Sequence, residues 1–207
     1  MTCSPTSVPS HRSDQRAHRR PERPATASAA VAIALLAALA GPTAARAEPS
    51  QVSATGFISS FREDLSVPPE QAWKAIVALP RWWNGSHSYS GKAANFTLDA
   101  QAGGTWMERW TDAAGLAHSV QHGQVLMVLP PKVLRLSAAL GPLQALAVNG
   151  VLSLETGSQE GKPFLRMHYR VAGAPDAGLE KLAPIVDRVM AEQFKRLKRL
   201  AETGQAE

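Results

Sequence analysis

After residue 50 the chain reads as one strand, one helix, an unbroken series of strand-like segments, and one long amphipathic helix at the end. That order has few compact solutions. Successive strands joined by short turns make an antiparallel sheet. A single helix that follows them must bury its apolar stripe against that sheet. The expected fold is therefore α+β: a curved antiparallel sheet wrapped around the C-terminal helix, with room for a pocket between them.

The segment before this domain has a different character. Residues 1–23 carry Arg12, Arg16, Arg19, Arg20 and Arg23 against Asp14 and Glu22, and residues 29–40 are an unbroken apolar run, AAVAIALLAALA. Gly41-Pro42 ends the run, and Ala45-Arg46-Ala47 follows. A basic region, a short apolar core and a small-x-small site are the marks of a cleaved secretory signal. The run is short of the ~20 apolar residues that a membrane span needs. The reading is a signal peptide over residues 1–47, cleavage after Ala47, and a single domain over residues 48–207. Periplasmic or secreted localisation follows, with no stable membrane insertion after cleavage.

Removing that segment changes the chemistry available. Cys3 is the only cysteine and lies within it, so the domain has no disulfide, no thiolate nucleophile and no Cys metal ligand. Six of the 22 Lys+Arg and two of the 17 Asp+Glu also lie there, which leaves 16 against 15 and a net charge of +1. That is no electrostatic footprint for nucleic acid.

Along the domain, residues 55–65 read as a strand with Phe57, Phe61 and Leu65 spaced between polar residues. Ser66 is placed to cap a helix that has Pro69 in its first turn, and Pro80 stops it. Strands are expected over residues 95–99, 105–111, 117–129, 132–140, 148–155 and 164–171. The last alternates cleanly, with Leu165, Met167, Tyr169 and Val171 against Arg166, His168 and Arg170, as a sheet with one wet face requires. Residues 179–201 carry Leu182, Val186, Val189, Met190, Phe194, Leu197 and Leu200 at helical spacing. Pro184 sets the expected start of the regular part, giving a helix of about 27 Å. Lys195, Arg196, Lys198 and Arg199 near its end form a solvated face that complements the helix dipole.

A long helix in a strongly bent sheet cannot touch every strand, so a cavity is expected near one end of it. The large, adaptable side chains aimed there are Trp82, Trp83, Phe96, Trp106, Trp110, Met127, Met167, Tyr169, Met190 and Phe194. Apolar pockets are lined by such residues, and so are solid cores. Either outcome fits this composition.

Four stretches carry a family resemblance: residues 61–73 (FREDLSVPPEQAW), Gly103-Gly104 followed by Thr105-Trp106, residues 123–131 (GQVLMVLPP) leading to Leu134-Arg135-Leu136, and the terminal helix. Over residues 55–200 the chain resembles the helix-grip superfamily of START, Bet v 1, polyketide cyclase and Hsp90-ATPase-activator-like domains, the SRPBCC group. The resemblance implies a sheet gripping the last helix around a hydrophobic cavity. It implies no catalytic set, because none runs through the group.

Among polar residues, Glu108 is the sharpest candidate. It shares a strand face with Trp106 and Trp110, and a carboxyl desolvated between indoles would have a raised pKa and could act as acid or base. The alternative is a carboxylate on an irregular or edge strand, paired or solvated. His118 and His122 have the spacing of a helical metal pair, but on a strand they lie about 13 Å apart, too far for one ion. No metal or other cofactor is expected. His122 is then a sheet histidine or an isolated proton carrier. His87 and Tyr89 lie on the loop after the first helix, where with Trp82 and Trp83 they could gate a cavity mouth.

The leading expectation is an exported binder of an apolar or aromatic small molecule. An enzyme of the cyclase, dehydratase or hydrolase kind using Glu108 is the alternative, and an interaction protein like the Hsp90 activators is a third.

Overall fold

A computed structural model describes residues 48–207. The expected signal segment over residues 1–47, with Cys3, lies outside the described residues. The elements are β1 (Ser50–Ser53), β2 (Gly56–Asp64), α1 (Pro69–Val77), β3 (Phe96–Leu98), β4 (Thr105–Thr111), β5 (Ala117–Leu129), β6 (Val133–Ser137), β7 (Val148–Gln159), β8 (Lys162–Gly173) and α2 (Leu179–Thr203). All strands form one antiparallel sheet in the order β1-β2-β8-β7-β6-β5-β4-β3. Helix α2 lies against β1, β2, β8 and α1.

The expected order of elements is present. The expectation missed β1, whose residues Ser-Gln-Val-Ser are all exposed and carry no apolar period. Ser66 does not cap α1. Pro68 occupies the cap position without a side-chain bond, and Ser66 instead donates its N–H and its hydroxyl to Glu202 on α2, at 2.9 and 3.1 Å. Strands β7 and β8 run on to a two-residue turn, Glu160-Gly161, both with positive φ. That geometry matches the twist of a tight hairpin. Pro184 neither starts nor ends α2 but sits inside it, where it removes one helical N–H donor.

Two register shifts in β5 decide which side chains reach the interior. The first falls between Trp106 and Met107 of β4, where Trp106 pairs with Gly123 but Met107 pairs with Gln121. His122 is the extra residue. The second falls between Val125 and Met127, so that Met127 pairs with outward-facing Arg135 rather than with a core residue. Bulges of this kind re-aim side chains and bend the strand. At the first, Gly123 lies so close to β6 that an added Cβ would stand 2.9 Å from the Ser137 carbonyl oxygen.

The centre between sheet and helix is filled by the chain's own side chains. Phe61 stacks on Phe194 at 5.6 Å between ring centroids. Trp83 meets Trp82 at 5.6 Å and Trp106 at 4.7 Å, and Trp106 meets Phe96 at 5.6 Å. Leu134, Leu136, Leu152, Leu154, Leu165, Met167 and Leu197 complete the core, all fully buried.

Candidate functional site

The open space lies to one side of this core. A cavity of about 350 Å³ is bounded by the Trp83–Tyr89 loop, His122 of β5, Leu140 to Pro142 after β6, and Ile185, Val186, Val189 and Met190 of α2. Most of its wall is apolar. Its mouth is marked by Ile185 and Tyr89, which are 56% and 52% exposed.

Each wall is held in place. Tyr169 on β8 is fully buried; its hydroxyl donates to the Ala138 carbonyl at 2.9 Å and accepts from the Leu140 N–H at 3.1 Å. That fixes the chain where Leu140 turns into the cavity. Burial pushes the Tyr169 phenol pKa well above its ordinary value. On the loop side, the Asn84 N–H donates to Gln193 Oε1 at 2.7 Å, and the Asn84 side-chain amide donates to Glu192. His87 pairs with the same Glu192 at 3.0 Å. The Tyr89 hydroxyl donates across the mouth to Gly141 O at 3.3 Å and Gln144 Oε1 at 3.2 Å.

Behind this loop sits Glu108, fully buried on β4. Its carboxylate accepts the Tyr89 N–H at 3.1 Å, the Ser90 N–H at 2.6 Å and His122 Nε2 at 2.8 Å. Burial alone would raise its pKa. The bonds from Ser90, His122 and Tyr89 together outweigh burial and hold the carboxyl below its ordinary value. His122 is 5% exposed, with its ring 5.0 Å from Trp106 and 5.1 Å from Phe96. Burial lowers its pKa, against an opposing pull from Glu108. The pair at neutral pH is therefore a carboxylate and a neutral imidazole.

Of the ten apolar residues expected at a ligand site, Trp83 and Met190 line this cavity. Trp82, Phe96, Trp106, Met167, Tyr169 and Phe194 are core. Met127 faces outward because of the β5 bulge. Trp110 stacks on His118 at 5.1 Å toward the end of β4. Glu108 shares Trp106's face as expected, yet its pKa is lowered, and it stands behind His122 rather than in the cavity wall. His118 pairs with Asp112 at 2.9 Å, away from His122. Among the described residues no His/Cys/Asp/Glu cluster could hold a metal ion, and no helix is long and apolar enough to cross a membrane. Leu140, Pro142 and Ile185 were missed as lining residues. Ile185 carried a signal, since it widens the apolar stripe of α2 beyond the face needed for the core.

No family model and no curated protein matches the chain. Solved structures do. A Staphylococcus aureus protein of unknown function superposes with a TM-score of 0.52 at 12% identity, over 72% of this chain and 95% of that one. The di-domain ARO/CYC StfQ from the steffimycin biosynthetic pathway gives a TM-score of 0.52 at 11% identity, over 73% of this chain and 52% of that one. The chain shares its fold with these structures, the helix-grip fold that the resemblance implied. At such identities the likeness is one of fold, and the helix-grip domain's chemistry has to be read from its own cavity.

Proposed function

We propose that this helix-grip protein binds an apolar or aromatic small molecule in the lateral cavity, as an exported protein of the periplasm or surroundings. One observation carries the reading: about 350 Å³ of space walled by Trp83, Leu140, Pro142, Val186, Val189 and Met190. Small-molecule sites have this size and this mostly apolar lining with a few placed polar groups. Exposed Ile185 stands at the cavity mouth.

Equilibrium dialysis with 2-methylnaphthalene tests it. Saturable binding to the wild type, abolished in Val189→Trp, supports the reading. Absence of saturable binding, or binding indifferent to Val189→Trp, overturns it.

A second reading, an enzyme of the cyclase, dehydratase or hydrolase kind, is favoured by the His122 imidazole at the cavity wall with the Glu108 carboxylate bonded behind it. Under that reading Glu108→Gln cuts turnover about 100-fold or more. Under the binding reading the same change leaves the affinity for 2-methylnaphthalene unaltered, because Glu108 does not line the cavity.

A further inference from the structure

The Glu108–His122 pair leaves one lone pair unused. An ionised carboxylate can only accept, so the proton between the two belongs to His122 Nε2. Burial among aromatic rings keeps the imidazole neutral. A neutral ring with its proton on Nε2 carries a bare lone pair on Nδ1. Among the described residues no donor reaches Nδ1, and it is not one of the sealed, unpartnered atoms of the interior. His122 lines the cavity.

The ring is also fixed. It is held by Trp106 and Phe96 at 5.0 and 5.1 Å and by Tyr89 at 5.9 Å, and it stands on the β5 bulge. Three other polar side chains around the cavity are occupied by the protein itself. The Ser88 hydroxyl donates to Gly85 O at 2.8 Å, His87 pairs with Glu192, and the Tyr89 hydroxyl is bound across the mouth. A fixed, mostly desolvated acceptor in an apolar wall is costly while unpaired. A guest with a hydroxyl proton relieves that cost.

Resting on the binding reading above, we propose that His122 Nδ1 is the polar anchor of the cavity, kept in its acceptor form by Glu108, and that the guest is an aromatic or alicyclic molecule bearing a hydroxyl donor. Glu108 is then a positioning residue and His122 the one that sets specificity. A hydroxyl-free guest of the same shape enters the same space but leaves Nδ1 bare.

The test compares 2-naphthol with its methyl isostere, 2-methylnaphthalene, by equilibrium dialysis of the purified protein at neutral pH. Tighter binding of 2-naphthol by about 10-fold supports the anchor, since an unmet buried partner costs this much. Without an acceptor the hydroxyl only loses its water, so the isostere binds at least as well. Equal or reversed affinities in the wild type overturn the anchor while the cavity reading stands. No binding of either compound overturns both. In His122→Phe the preference disappears. In His122→Asn, whose amide oxygen takes the place of Nδ1, it is retained, and loss of the preference there counts against the anchor. Should His122→Phe fail to fold, the wild-type comparison decides alone.

Discussion

The hydroxyl of Tyr169 accepts the Leu140 N–H at 3.1 Å while donating to Ala138 O at 2.9 Å. Gly150 makes this possible, because a Cβ there would lie 2.8 Å from the same hydroxyl and would collide with the Ala138 carbonyl. The bond pair connects the buried face of β8 to the cavity wall at Leu140. Tyr169→Phe leaves two buried backbone groups without a partner and is expected to cost about 2 kcal/mol. Urea denaturation measures that loss. The same variant should weaken 2-methylnaphthalene binding, since the Leu140 wall loses its tether.

Glu108→Gln replaces an acceptor of three donors with an amide that offers one oxygen. Its NH₂ must then face an N–H of Tyr89, Ser90 or His122. A loss of about 1–3 kcal/mol is expected, which for a domain of this size lowers Tm by several degrees. Calorimetry of the variant checks it. An unchanged Tm would mean that the Tyr89–Ser90 loop does not depend on the carboxylate.

Acid should destabilise the protein in two stages. The folded-state pKa of His122 is below its ordinary 6.5, so the unfolded chain binds that proton first and stability falls as pH drops below about 6.5. The folded-state pKa of Glu108 is below its ordinary 4.5, so its contribution is intact above that value and declines below it. Both groups act in the same direction. Denaturation midpoints measured between neutral pH and pH ~4 should decrease throughout, and in His122→Phe the upper stage should shrink to the part left by His168, whose pKa burial and Arg170 also lower.

At high pH the sign reverses. The Tyr169 phenol is held neutral by burial, so its stabilising contribution is full below the ordinary value of 10 and declines above it as the unfolded phenol ionises. Tyr169→Phe should flatten the alkaline limb of the stability profile.

The export expectation is tested by mass. Protein recovered outside the cytoplasm should begin at Glu48, and intact-mass measurement distinguishes this from a retained N-terminal segment. Recovery of the uncleaved chain in the cytoplasm would remove export from the proposal.

How much of this was legible in the sequence follows from where the signals lie. Strands β4 and β5 were read with their observed ends, because apolar alternation and glycine turns are local features. The position of Met127 was not legible. Its facing depends on a bulge whose register is set by the partner strand β6, not by its own neighbours. Burial of Glu108 conflicts with its type, and the amides that make it tolerable come from Tyr89 and Ser90, on a loop 19 and 18 residues earlier. The aromatic residues were identified as the interior but most of them fill it, whereas the cavity is walled largely by aliphatic residues of α2 and the Leu140 turn.

Strand β2 lies between β1 and β8, so Gly56–Asp64 finds its second and longer neighbour only in Lys162–Gly173. A ribosome has to finish most of this polypeptide before the two can meet, and contacts so distant along the sequence form slowly. Until then one edge of Gly56–Asp64 lacks its companion.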